Sequence, residues 1–99
     1  MRLRRSIDFC NRAGQNMKLL IVDDEERIRR LIVKYAVFEG YEIAEAENGM
    51  QAVEMTRSNP ADLVILDIMM PELDGFSAAR EIRKTSSVPI IFLSARGEE

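Results

Sequence analysis

The sequence has no histidine at all. That excludes imidazole acid–base chemistry, histidine-ligated metal sites and any role as a phosphohistidine donor. It has one cysteine, Cys10, so no internal disulfide can form and nothing points to an oxidising compartment. No apolar run approaches the roughly 18 to 20 residues of a membrane span. The first sixteen residues lack the apolar core of a signal peptide, since "SIDFCNRAGQN" offers none. These absences lead to the expectation of a cytoplasmic chain that neither crosses nor anchors in a membrane.

What remains is ordinary globular composition. The 99 residues are 46% hydrophobic and 31% charged, enough for one small domain. The charge is unevenly spread. Residues 1–16 hold Arg2, Arg4, Arg5 and Arg12 against Asp8, a net of +3; the whole chain carries −3, so residues 17–99 carry −6. An acidic body disfavours non-specific nucleic-acid binding. The division expected is therefore a basic, unstructured extension over residues 1–16 and a folded domain over 17–99.

Along the chain, apolar patterns alternate between two periods. "KLLIV" (Lys18–Val22) reads as a strand buried on both faces. A helix follows from about Glu26 to Phe38, with Ile28, Leu31, Ile32, Tyr35 and Ala36 on one face and Arg27, Arg30 and Lys34 opposite; Gly40 stops it. "YEIAEA" alternates like an exposed strand, "NG" breaks it, and a short helix runs to about Ser58 before "NP". "DLVILD" is a second buried strand, "IMMPELDG" a turn-rich loop, and a third helix covers about Phe76 to Lys84. "VPIIFLSA" is the last buried strand, with Pro89 at its start and Ile65, Leu66, Ile90, Ile91, Phe92 and Leu93 read as core. The alternation implies an α/β, doubly wound parallel sheet with helices on both faces.

In such sheets, ligands bind at the carboxyl ends of the strands. Asp23 and Asp24 end the first strand, Asp67 ends the third and Ser94 the fourth, so residues far apart in sequence are expected at one edge. Clustered carboxylates raise one another's pKa and destabilise a fold, and a divalent cation reverses that penalty. Hard oxygen ligands suit Mg²⁺, which takes few carboxylates and accepts phosphate oxygens. Glu25 and Glu26 need no such role, because acids in a helix's first turn complement the macrodipole. Met69 and Met70 are apolar loop residues beside this polar edge, suited equally to shielding it from water and to packing beneath the loop.

"LLIVDDEE", "LVILDIMMPELDG" and "VPIIFLSA" together resemble the receiver domain of bacterial two-component response regulators, throughout residues 17–99. "DIMMPELDGF" and "SARGEE" resemble the branch whose receivers precede a winged-helix DNA-binding domain. The resemblance implies a flavodoxin-like (CheY-like) fold. It implies that Asp67 accepts a phosphoryl group from a sensor histidine kinase. Mg²⁺ would be ligated by Asp24, Asp67 and the backbone carbonyl of Met69, with Asp23 acting through water. Ser94 would be the hydroxyl that bonds the phosphoryl group, and Ala95 the small residue that leaves room for it. The implied chain is a signalling module and not an enzyme.

Against that family pattern the sequence ends early, before the fourth helix, fifth strand and fifth helix, and no lysine follows Lys84. The expectations from this are impaired phosphorylation, no DNA binding by this chain, low stability, an open edge at the fourth strand and self-association through it. Packing of Leu3, Ile7, Phe9 and Cys10 over the gap is the alternative cover. Two other functions compete. A phosphatase of the haloacid-dehalogenase type would want an acid two residues after the nucleophile, where Met69 stands. A pseudo-receiver would act by protein–protein association without phosphate.

Overall fold

The computed structural model describes residues 17–93. Both the extension over residues 1–16 and the segment 94–99, with Ser94 and Ala95, lie outside the described residues. Seven elements alternate: β1 (Lys18–Val22), α1 (Glu26–Phe38), β2 (Glu42–Ala46), α2 (Gly49–Ser58), β3 (Leu63–Asp67), α3 (Gly75–Arg83) and β4 (Ile90–Leu93). All strand pairs are parallel and the order is β2-β1-β3-β4. None of the described helices is long and apolar enough to cross a membrane.

The period of two in β1 divides the core into two layers. Leu20 and Val22 face α2 and α3, joining Val64, Leu66, Ala52, Ala78 and Ala79. Leu19 and Ile21 face α1, where they meet Ile32, Val33 and Ala36. Small residues let α2 and α3 approach: a Cβ on Gly49 would stand 2.7 Å from the Leu73 carbonyl oxygen. Side-chain oxygens fix both helix starts, with Asn48 accepting from the Gln51 N–H and Asp74 from the Ser77 N–H, each at 2.8 Å. Gly40 ends α1 at φ 97°, a left-handed conformation that glycine adopts without steric penalty.

One expectation, the burial of β4, needs correction, and the apolar stripe of α1 is split: Ala36 is buried and Ile32 half-buried, whereas Leu31 and Tyr35 are exposed. Val33, from off the stripe, packs in their place, because one helix on this face rests over β1 and its neighbours and leaves its outer flank uncovered. Likewise β4 is not buried on both faces among the described residues. Ile91 is 50% exposed and Phe92 38%, although Phe92 stacks obliquely on Phe76 with ring centroids 4.9 Å apart. The strand itself begins at Ile90, one residue beyond Pro89, whose carbonyl accepts the Val64 N–H.

Candidate phospho-acceptor and metal site

The strand order decides where a ligand can sit. From β1 the chain moves outward to β2, then returns across β1 to β3 on its other side. The reversal opens a crevice at the carboxyl ends of β1 and β3. Asp23 follows β1 directly and Asp67 is the last residue of β3.

Three carboxylates converge there. One oxygen from each of Asp23, Asp24 and Asp67 lies within 4.8 Å of the others. Asp23 and Asp67 are buried, at 2% and 4% exposure, while Asp24 is open to solvent. The Asp23 Oδ1 accepts the Glu25 N–H at 2.9 Å, and the Asp67 Oδ1 accepts the Met69 N–H at 3.3 Å. Burial pushes the Asp23 pKa above the ordinary 3.8. The charges of Asp67, Asp24 and Glu25 push the same way, against the Glu25 N–H, which favours the ionised form.

The loop after β3 is held close beneath the site. The Gly75 N–H donates to the Ile68 carbonyl at 3.0 Å, and the Ile68 N–H to the Leu93 carbonyl at 3.0 Å. A Cβ on Gly75 would lie 2.3 Å from the Asp67 carbonyl oxygen and 2.8 Å from the Ile68 Cα. Only glycine lets α3 start so near the strand end. The two methionines of this loop part company: Met70 is buried in the core, and Met69 is 58% exposed beside the acids.

Sequence periodicity missed Arg29. It lies off the basic face of α1, and its side chain is 11% exposed. Its Nη1 donates to the Asp23 carbonyl at 2.7 Å and its Nε to the Glu45 carboxylate at 2.9 Å. No spacing rule flags it, because its partners come from two separate strand ends.

The donor set fits a small hard cation. It is all carboxylate oxygen, and two of the three groups are buried together, so their charges repel one another at close range. Oxygens about 2.1 Å from Mg²⁺ lie on the order of 3 to 4 Å apart, which the span of this cluster accommodates.

A profile of the response regulator receiver domain matches residues 19–99. The chain belongs to that family. The transcriptional regulatory protein SrrA of Staphylococcus aureus is 48% identical over 82 residues, which are 83% of this chain and 34% of that protein. The receiver chain thus spans about a third of the length of the curated relatives it matches. Among solved structures, the N-terminal domain of a response regulator receiver protein from Methanoculleus marisnigri JR1 superposes with a TM-score of 0.78 at 31% identity, covering 82% of this chain and 68% of that one. The receiver domain of the histidine kinase CKI1 from Arabidopsis thaliana, solved with Mg²⁺ and BeF₃⁻, gives 0.78 at 25% identity, covering 90% and 72%. Family membership makes this receiver a signalling module of the two-component type.

Proposed function

We propose that this receiver accepts a phosphoryl group on Asp67 from the phosphohistidine of a sensor histidine kinase, in a Mg²⁺-dependent step in the cytoplasm. The observation that carries this is the convergence of Asp23, Asp24 and Asp67 at the carboxyl ends of β1 and β3. The CKI1 receiver, solved with Mg²⁺ and BeF₃⁻, supports it by likeness. Asp24, Asp67 and the Met69 carbonyl would hold the ion directly and Asp23 through water. When bound, Mg²⁺ neutralises charge on the transferring phosphoryl oxygens.

The remaining work falls to the chain. An Asp67 carboxylate oxygen attacks phosphorus in line, forming a P–O bond as the P–N bond to the kinase imidazole breaks, and the product is an acyl phosphate. The Met69 N–H on Asp67 Oδ1 limits rotation of that carboxylate. Ser94 would bond the transferred group, with Ala95 leaving space. Incubation with acetyl phosphate and Mg²⁺, followed by intact mass, tests the proposal. We expect a phosphate increment that is absent in Asp67→Asn; no increment under conditions that label another receiver overturns it.

A second reading has its own support. Within the described residues β4 is a sheet edge, with Ile91 and Phe92 exposed along it. Unpaired strand N–H and C=O groups invite a further strand. A chain that takes no phosphate and pairs with a second copy along β4 would be a pseudo-receiver, and the same mass measurement separates the two.

A further inference from the structure

We infer that Arg29 is a positioning residue for the metal-binding acids: it aims the Asp23–Asp24 segment at Asp67 by holding the Asp23 carbonyl. This rests on the Mg²⁺ reading of the site. The segment turns from strand to helix without the usual help. Glu25 occupies the N-cap of α1, and its side chain makes no capping hydrogen bond. The path of the backbone is fixed instead at Asp23. Its N–H donates to the Ala46 carbonyl at 3.2 Å, which ties it to the end of β2. Its carbonyl accepts from Arg29 Nη1 at 2.7 Å. Its side chain accepts the Glu25 N–H.

The carbonyl contact is the one that bears on Asp24. Rotating the Asp23–Asp24 peptide plane swings the Asp24 carboxylate, and this peptide's oxygen is the atom the guanidinium grips. Arg29 can act as a rigid clamp because Glu45 fixes its Nε at 2.9 Å and little of the side chain meets solvent. One planar group therefore joins the end of β2 to the end of β1, across two donors set in a fixed fork. A lysine can supply the charge there but not both bonds in that geometry.

The sign of one measurement separates positioning from charge. Arg29 is a cation near a cation site, so on Coulombic grounds its removal should tighten Mg²⁺ binding. Positioning demands the reverse. Mg²⁺ affinity of the full chain is measured by isothermal titration calorimetry for wild type, Arg29→Met and Arg29→Lys, with urea midpoints and far-UV circular dichroism as folding controls. Methionine keeps most of the apolar stem and removes every donor. We expect Arg29→Met to bind Mg²⁺ about tenfold more weakly, and Arg29→Lys to fall between it and wild type. Amide NMR signals of residues 23–26 should shift in Mg²⁺-free Arg29→Met while those of β3 stay in place. Affinity equal to or tighter than wild type in Arg29→Met overturns the inference. Should that variant not fold, wild-type affinity in Arg29→Lys overturns it and weakened affinity supports it. Failure of wild type itself to bind Mg²⁺ overturns the site reading beneath it, a result distinct from either.

Discussion

Asp23 has two opposing demands placed on it. It is nearly inaccessible to water, yet it stands beside two other carboxylates, so ionising it in the folded chain is harder than in the unfolded one. Its folded pKa lies above its unfolded value. The fold is thus free of penalty below about pH 4, and it loses stability as the pH rises through the folded value. Asp23→Asn removes the charge and keeps an oxygen for the Glu25 N–H. Without metal, this variant should be more stable than wild type at pH 7, and the difference should vanish near pH 4. Mg²⁺ should stabilise wild type more than the variant; at a hundred times its dissociation constant the gain is about 2.7 kcal/mol. Urea unfolding in EDTA and in Mg²⁺, at both pH values, checks the sign of each effect.

Between elements, the tightest constraint is where α3 meets β3. Gly75 is the first residue of the helix and lies against the Asp67–Ile68 backbone. A methyl group there meets main-chain atoms, which cannot move aside as a flexible side chain would. Gly75→Ala should cost about 3 kcal/mol by urea unfolding, at the upper end for overpacking. Relief of the clash would push the end of β3 outward and move Asp67, so phosphate incorporation from acetyl phosphate should fall along with stability. By contrast, the Arg30–Glu26 and Lys84–Glu81 ion pairs on the helix surfaces are exposed, and each contributes well under about 1 kcal/mol.

Taken whole, the described domain is covered unevenly. Two helices lie on one face of the sheet and one on the other, so Leu31 and Tyr35 of α1 and Ile91 of β4 are exposed on the less covered side. Within the described residues β4 borders the sheet beside exposed apolar groups, the arrangement on which the second reading of association between copies rests. We expect the average mass in sedimentation velocity to rise with concentration. Ile91→Lys, which places a charge on the β4 edge, should lower that rise and leave Mg²⁺ binding unchanged. A monomer at every concentration for wild type would count against association along β4.

Local pattern determined the elements of this receiver. Apolar runs with period two or 3.6, Gly40 past the end of α1 and Asn48 before α2 reflect which conformations a short segment can adopt, and the elements formed within a residue or two of the expected bounds, the end of β4 lying at the limit of the described residues. Placing Asp23, Asp24 and Asp67 at strand ends was legible for the same reason, since parallel sheets bind ligands at one edge. Tertiary structure decided what lies opposite each residue. Periodicity reports which side chains share a face but not whether a neighbour covers it, so Ile91 and Phe92 read as core and are exposed, and Leu31 and Tyr35 are exposed on the same face as buried Ala36. It could not divide Met69 from Met70, one beside the acids and one beneath the loop. Nor could it find Arg29, whose role exists only because the sheet order brings the end of β2 beside the end of β1, within the span of one guanidinium group.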